Sequence, residues 1–167
     1  MSYFPGTEIE ILMDFMIRPM QAEDITRVYE IESELFSSPW EESSFITSME
    51  YNLCWIVAEQ ASKKIAGYPI GQKVLDEFSI YNLAISREYQ KQGLGMWFTR
   101  SIMEEMSDTG CLVFFLEVRR SNQAATNLYT KLGFKSVFIR DSYYSNPVED
   151  AVIMIKDDRK SEKEDII

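Results

Sequence analysis

One short stretch constrains the possible fold more than any other part of the chain. Residues 87–98 read REYQKQGLGMWF and contain two of the chain's seven glycines, Gly93 and Gly95. An apolar run, FSIYNLAI, precedes this stretch, and a run of helical character, MWFTRSIMEEM, follows it. A strand, a glycine-bearing loop and a helix in this order let backbone N–H groups face an anion. The stretch therefore predicts an anion-binding loop between a strand and a helix.

The spacing of the loop narrows the choice of anion. It reads Gln90-x-x-Gly93-x-Gly95, and the glycines let the backbone turn tightly and approach a ligand without an intervening Cβ atom. The spacing differs from Gly-x-Gly-x-x-Gly, and no Lys-Ser/Thr pair follows, so dinucleotide and nucleoside triphosphate sites fit poorly. N–H groups at the helix start favour phosphate or pyrophosphate. The alternative at this point is a glycine-rich turn that binds nothing.

Helical and strand patterns alternate along the rest of the chain. We predict strands at residues 15–20, 53–60, 64–72, 77–85, 111–118, 134–141 and 149–156. We predict helices at residues 22–36, 41–49, 95–107 and 122–133. Pro69 and Gly71 are expected to weaken their strand or to place a bulge in it. This alternation indicates a single layered domain of the α/β or α+β class.

Composition excludes several classes of protein. Hydrophobic residues make up 46% of the chain, which argues against disorder, yet no apolar run approaches the roughly 18 residues that a transmembrane helix needs. The N-terminal segment MSYFPGTEIEILMDFM does not follow a signal-peptide pattern, so we expect a cytoplasmic protein. The net charge of −10 gives no reason to bind nucleic acid. It favours basic partners, including basic peptides, or serves only solubility.

The chain contains no histidine. This absence removes Ser-His-Asp and Cys-His nucleophile mechanisms and the commonest zinc ligand, and we expect no metal site. Acid–base chemistry must then come from carboxylates, tyrosines, lysines or water. Cys54 and Cys111 lie far apart inside apolar runs, so we expect both to be buried free thiols without an activating partner.

Three residues after the loop are candidates for chemistry, each with a structural alternative. Glu117 ends the apolar run VFFLEV, where a carboxylate is costly unless it is paired, hydrated or used. Its neighbours Arg119 and Arg120 offer a salt bridge at the strand end as the alternative. Tyr129 lies on an apolar helical stripe, which is typical of a core tyrosine. Ser121 and Asn122 lie where that helix starts, and either could serve as its N-cap.

Together these segments resemble one family. The set NLAI, QKQGLG, LEVRRSNQAATNLYTKLGF, DSYY and EDAVIM is similar to the GNAT family of acetyl-CoA-dependent N-acetyltransferases. It is most similar to the bacterial RimI-type members, which acetylate the N-terminal alanine of a small-subunit ribosomal protein. FSSPWEESSF also resembles an F-x-x-P-W segment of that subfamily. The resemblance implies a GNAT domain at residues 15–156, with an N-terminal extension at 1–14 and a charged tail at 157–167.

The resemblance also implies a fold and a cofactor site. The expected fold is a single domain with a central, mostly antiparallel mixed sheet of about seven strands, splayed where acetyl-CoA binds, and four helices. Main-chain groups at the end of the strand NLAI would hydrogen-bond the pantetheine arm and the thioester, namely those of Leu83, Ala84 and Ile85. The loop would hold the pyrophosphate with Gln90, Lys91, Gln92, Gly93, Leu94, Gly95 and Met96. Asn122 would also contact the cofactor.

Within the resemblance, Glu117 is the general base and Tyr129 protonates the departing thiolate. A terminal α-amine has a pKa of about 7.7–8.0, so roughly a tenth of it is neutral near pH 7, whereas a lysine at about 10.4 needs a stronger push. A carboxylate acting directly or through one water suffices for the α-amine. We expect direct attack of the amine on the thioester and no covalent acyl-enzyme.

The implied acceptor is the basic N-terminal peptide of a ribosomal protein. The acidic segment at residues 29–45 would attract it through Glu30, Glu32, Glu34, Glu41 and Glu42. Tyr143 and Tyr144 match a tyrosine pair of the family and line the same groove, or pack within a strand. We expect a monomer or weak dimer.

Three other functions remain open from the sequence. The first is a GNAT enzyme that acetylates a small amine or protein lysines, because acceptor choice depends on variable loops. The second is a non-catalytic acetyl-CoA-binding module, which would need neither Glu117 nor Tyr129. The third is a plain phosphate-binding domain that uses the loop alone.

Overall fold

The computed structural model describes residues 14–159. The strands are β1 (Phe15–Pro19), β2 (Leu53–Glu59), β3 (Ile65–Val74), β4 (Glu77–Ile85), β5 (Val113–Arg119), β6 (Lys135–Ser145) and β7 (Val148–Asp157). The α-helices are α1 (Ile25–Leu35), α2 (Glu42–Tyr51), α3 (Leu94–Asp108) and α4 (Gln123–Lys131). Short 3₁₀ turns lie at Ala22–Asp24 and Arg87–Tyr89.

The strands form one mixed sheet in the order β1-β2-β3-β4-β5-β7-β6. β4 and β5 are parallel, whereas β5 with β7 and β6 with β7 are antiparallel. The predicted single-domain fold with a seven-stranded mixed sheet and four helices is confirmed for the described residues. The splay at the cofactor site and the domain boundaries stay predictions, and residues 1–13 of the extension and 160–167 of the tail lie outside the described residues.

Membrane-spanning helices are absent from the part of the chain that the structure describes, since each helix is too short or too polar to cross a bilayer.

The described chain divides into two compact units. The first unit contains residues 14–70 and 82–99, and the second contains residues 71–81 and 100–159. In the first unit, α1 buries an apolar stripe that joins the core residues of α2, β2 and β3. This stripe follows helical spacing and consists of Ile25, Val28 and Ile31.

Glu32 is a buried carboxylate at the centre of the first unit. It is 2% exposed and accepts hydrogen bonds from Trp40 N (2.9 Å), from Asn82 Nδ2 (3.1 Å) and from the Tyr68 hydroxyl. Burial, together with the adjacent carboxylate, raises the pKa of Tyr68 well above its ordinary value, so the hydroxyl stays a donor. The hypothesis that Glu32 attracts a basic peptide is therefore wrong, because its carboxylate is buried and already has three donors.

β3 runs unbroken through both Pro69 and Gly71. At Gly71, an added Cβ atom would lie 2.4 Å from Phe78 Cζ and 2.6 Å from the carbonyl oxygen of Ser79, both on β4. The glycine thus permits a close approach of the two strands. The strand keeps its full length where we expected these residues to weaken it.

In the second unit, β5 is mostly apolar and α4 ends in a glycine cap. Gly133 has a φ of 94°, its N–H donates to Thr130 O (3.1 Å), and the Phe134 N–H donates to Tyr129 O (3.0 Å). These two bonds form a Schellman motif, which ends the helix and turns the chain into β6. The motif also brings the Phe134 ring edge-on to the Tyr129 ring, with centroids 5.7 Å apart in the manner of packed aromatic pairs.

We predict that Glu32→Ala destabilises the protein strongly. The substitution leaves one buried and two partly buried donors without their acceptor, and each such loss costs about 1–3 kcal/mol when the donor is buried. We expect the free energy of unfolding, measured by urea denaturation, to fall by about 3 kcal/mol or more. Glu30→Ala is the matched control, because Glu30 lies on the same helix and pairs with Arg27 at the surface (2.9 Å). Its expected effect is within about 0.5 kcal/mol, and equal losses in both variants would contradict the role of Glu32.

Candidate active site

The glycine loop joins β4 to α3 within the first unit. Lys91 and Gly93 have φ values of 61° and 81°, so the backbone passes twice through the left-handed region. An added Cβ atom at Gly93 would find no atom within 4 Å, which leaves the backbone open on that side. The first bond of this helix runs from Trp97 N to Gly93 O (3.1 Å). The N–H groups of residues 94–96 precede that bond, as in helix starts that bind phosphate.

Two glutamine side chains brace this loop. Gln90 Nε2 donates to the carbonyl oxygen of Ile85 (2.8 Å), and Gln92 Nε2 donates to that of Glu88 (2.9 Å). Both amides therefore bond to the protein's own backbone. In this arrangement the two side chains hold the loop in shape, which the sequence pattern did not indicate.

Gly67 is a residue near the predicted thioester contacts that sequence reasoning missed. An added Cβ atom there would lie 2.4 Å from the carbonyl oxygen of Ala84 and 2.6 Å from Ile85 Cδ1. The glycine therefore lets the end of β4 lie close to β3. A glycine inside an apolar strand is the signal that could have indicated this close approach.

Glu117 lies at the exposed end of β5, in the second unit. Its Oε1 accepts a hydrogen bond from Arg140 Nη1 (2.7 Å), and the Tyr143 hydroxyl also bonds to this carboxylate. That hydrogen bond, with partial burial, raises the pKa of Tyr143 above its ordinary value. The salt bridge that we considered as an alternative is present, but its partner is neither Arg119 nor Arg120.

The two arginines next to Glu117 pair with other carboxylates. Arg119 Nη1 lies 3.4 Å from Glu149 Oε2, and Arg120 Nη1 lies 3.1 Å from Asp150 Oδ2. Arg119 also stacks on the ring of Tyr144, 4.2 Å from its centroid. Both carboxylates come from β7, so the pairing follows strand neighbours and not the order of residues in the chain.

Tyr129 is buried in α4. Burial raises the pKa of its phenol to about 12, with a smaller effect from Tyr144 nearby. Burial likewise raises the pKa of Tyr144 to about 12, and the Tyr143 and Tyr144 rings meet edge-on with centroids 5.1 Å apart. Tyr129 therefore keeps its proton throughout the neutral range. Burial of Tyr129 in the core is therefore compatible with a role as proton donor, because the buried phenol carries the proton that it would donate.

Asn122 caps α4, as the structural alternative for this residue predicted. Its Oδ1 accepts a hydrogen bond from Ala125 N (3.1 Å). The cap uses the oxygen of the side-chain amide, and the amide nitrogen takes no part in it.

The remaining sequence predictions concern the cysteines and the acidic segment. Cys54 and Cys111 are free thiols, but only Cys111 is fully buried, which corrects the expectation for Cys54. Burial still raises the pKa of Cys54 to about 11, so its thiol is a poor nucleophile. Glu41 and Glu42 are exposed at the start of α2.

The structure thus groups the predicted residues within each unit. The end of β4 and the loop are continuous in the first unit, and Gln90 joins them through Ile85. In the second unit, Glu117 contacts Tyr143, and Tyr143 contacts Tyr144, the tyrosine that influences Tyr129. Arg140 is the addition that no local sequence signal indicated.

Comparison with known proteins places this chain in a family. The acetyltransferase (GNAT) family model matches residues 25–134. The ribosomal protein bS18-alanine N-acetyltransferase of Escherichia coli (strain K12) is 36% identical over 141 residues, which cover 83% of this chain and 94% of that protein. The protein of the same name from Haemophilus influenzae is 36% identical over 143 residues, or 83% of this chain and 96% of that protein.

Solved structures agree with this assignment. The crystal structure of the ribosomal-protein-S18-alanine N-acetyltransferase from Escherichia coli matches with a TM-score of 0.79 at 35% identity, covering 86% of this chain and 94% of that chain. Arabidopsis thaliana NAA60 in complex with acetyl-CoA matches with a TM-score of 0.78 at 18% identity, covering 86% and 99%, a likeness of fold alone. From the family match and the relatives that align over most of its length, this chain belongs to the acetyltransferase (GNAT) family.

Proposed function

We propose that this protein is an acetyl-CoA-dependent N-α-acetyltransferase that acetylates the N-terminal alanine of ribosomal protein bS18. The observation that carries this proposal is the similarity to the Escherichia coli enzyme of that name, 36% identical over 94% of that enzyme's length. The local geometry supports the same reaction, because the second unit holds a carboxylate and a protonated tyrosine and the first unit holds a glycine loop that leads into a helix start of the kind that binds phosphate.

The cofactor contacts follow from the family resemblance. Main-chain groups of Leu83, Ala84 and Ile85 bind the pantetheine arm and polarise the thioester carbonyl. The loop from Gln90 to Met96 binds the pyrophosphate through backbone N–H groups, with the left-handed Gly93 as its turning point. Asn122 contributes its amide nitrogen to the cofactor while its oxygen caps α4.

The chemical step is a direct transfer. The neutral α-amine attacks the thioester carbonyl, a C–N bond forms, and the C–S bond breaks. Glu117 takes the proton that the amine loses, directly or through one water. Tyr129 lends its proton to the departing sulfur. Since a thiol has an ordinary pKa near 8.5 and the phenol lies at about 12, transfer of this proton is uphill, so the tyrosine acts while charge develops on sulfur and then regains a proton from solvent.

Two features favour a basic peptide as the acceptor. The net charge of −10 attracts cationic chains, and the exposed Glu41 and Glu42 concentrate negative charge at the start of α2. The α-amine, with a pKa of about 7.7–8.0, needs only a weak base to become a nucleophile. The negative charge favours a basic chain, and the pKa favours its α-amine over its lysine side chains.

We predict that the purified protein acetylates a basic peptide with a free N-terminal alanine. The peptide is mixed with acetyl-CoA, and released thiol and peptide mass are followed together. The control is the same peptide with its α-amine blocked and its lysines free, and it should stay unmodified. Modification of both peptides would replace the proposal with lysine or general amine acetylation. Coenzyme A binding without turnover of any amine would indicate a binding module.

We predict that Glu117→Gln lowers kcat by about a hundredfold or more, the usual range for the loss of a general base. The KM for acetyl-CoA should stay unchanged, because Glu117 is assigned to the amine and not to the cofactor. Glu104→Gln, an exposed residue on α3, is the control and should behave as the wild type. A Glu117→Gln enzyme with wild-type kcat would exclude Glu117 as the base.

A pair of Asn122 variants separates capping from cofactor binding. Asn122→Asp keeps the cap acceptor but replaces the amide nitrogen assigned to the cofactor with an oxygen that cannot donate, so we expect a raised KM for acetyl-CoA and a preserved melting temperature. Asn122→Ala loses the cap and should cost about 1 kcal/mol of stability in urea unfolding. An unchanged KM for acetyl-CoA in Asn122→Asp would leave Asn122 as a cap alone.

A further inference from the structure

The strand β6 contains an irregularity beside Glu117. Arg140 pairs with Ala151 of β7, whereas Tyr144 pairs with Glu149. Four steps along β6 thus correspond to two steps along β7, so β6 carries extra residues. Ser142, between the two ends of the irregularity, has a φ of 51°. A serine in the left-handed region is strained, and such strain persists only where the surroundings hold it.

Asp150 of β7 holds this bulge in place. Its Oδ1 accepts a hydrogen bond from Ser142 N (3.0 Å), and its Oδ2 accepts one from Arg120 Nη1 (3.1 Å). The bond from Ser142 and then that from Arg120 lower the pKa of Asp150, so the carboxylate stays an acceptor. The strained backbone therefore has a specific partner.

The bulge changes which side chains meet. In a regular strand, side chains three positions apart point to opposite faces of the sheet. Arg140 and Tyr143 are three positions apart, yet both reach Glu117, the first through Nη1 (2.7 Å) and the second through its hydroxyl. The Arg140 guanidinium also lies 4.7 Å from the centroid of the Tyr143 ring. Bulges often re-aim side chains in this way next to active sites.

We propose that Arg140 and Tyr143 are positioning residues that fix the orientation of Glu117, an inference that rests on the proposed function. An exposed glutamate at a strand end otherwise samples several rotamers, and only some of them present an oxygen to the acceptor amine. A carboxylate has about four acceptor sites, so two donors restrain it and still leave sites for the amine or a bridging water. Arg140 is assigned no direct contact with the substrate and therefore carries the test, whereas Tyr143 is also expected to line the acceptor groove.

The test measures kcat, both KM values and melting temperature for Arg140→Met, Arg140→Lys, Tyr143→Phe, Glu117→Gln and the Arg140→Met/Glu117→Gln double variant. We expect Arg140→Met to lower kcat on the order of tenfold to a hundredfold, the scale of a small misplacement of a catalytic group. Arg140→Lys should recover part of this loss, and Tyr143→Phe should show a smaller loss. The KM for acetyl-CoA and the melting temperature should not change, because exposed ion pairs contribute little to stability.

The double variant decides whether Arg140 acts through Glu117. In the Glu117→Gln background, Arg140→Met should lower kcat by less than about twofold, because the group that it positions is already gone. Arg159→Met is the control, since Arg159 is an ion-paired arginine of similar exposure elsewhere in the second unit, and it should leave kcat unchanged.

Each alternative outcome has a distinct meaning. Wild-type kcat in Arg140→Met, or an equal loss with and without Glu117, overturns the positioning role and leaves the proposed function intact. If Arg140→Met lowers the melting temperature together with kcat, Arg140 has a structural role, and the positioning role is overturned. A wild type that acetylates no amine overturns the proposed function together with this inference.

Discussion

The first unit depends on how one buried carboxylate is satisfied. Glu32 has no cation among its partners in the described chain, and its oxygens accept from donors of three segments: Tyr68 on β3, Asn82 on β4 and the backbone of Trp40. A buried acceptor of this kind is costly to leave unsatisfied, so the three segments are held in one arrangement. Asn82 immediately precedes the main-chain groups assigned to the thioester, and Gly67 lets the same strand end approach β3 closely. One hydrogen-bond network therefore supports the strand on which the cofactor assignment rests.

Three titratable groups of the described chain share a property. Burial raises the pKa of Tyr129 and of Tyr144 to about 12 and that of Cys54 to about 11, so all three keep their protons at neutral pH. The thiol cannot compete as a nucleophile in that state, and the phenol stays a donor. In a chain without histidine, the acceptor α-amine is then the group whose ordinary pKa lies nearest to neutrality. The protein then has to hold the amine against the thioester and to accept the proton that the amine loses. This agrees with the direct-transfer mechanism proposed above.

Local patterns were sufficient for most of the elements. The strand predicted at residues 77–85 has those bounds, and the helix predicted at 95–107 extends by one residue at each end. The helix predicted at 22–36 begins instead as a 3₁₀ turn, and its α-helical part is Ile25–Leu35. Hydrophobic periodicity and capping act over a few residues, so the sequence displays them directly. The burial of individual side chains was harder to predict. Glu32 was expected at the surface and is buried, and Cys54 was expected to be buried and is partly exposed. Burial depends on which other helices and strands pack over a side chain, and a local pattern does not contain that information.

The sequence by itself determined the order and type of the elements, the glycine loop ahead of α3, a polar cap at Ser121 or Asn122 and the lack of histidine chemistry. These follow from the residues within one turn or strand. Only the tertiary structure decided which charges pair. Glu117 has two arginines within three residues, yet it pairs with Arg140, 23 residues away. Strand register decides such pairs, and the bulge at Ser142 changes the register through extra residues that no local pattern indicates. The sequence was therefore sufficient to choose Glu117 as the candidate base. Its partners Arg140 and Tyr143 could be identified only from the pairing of β6 with β7.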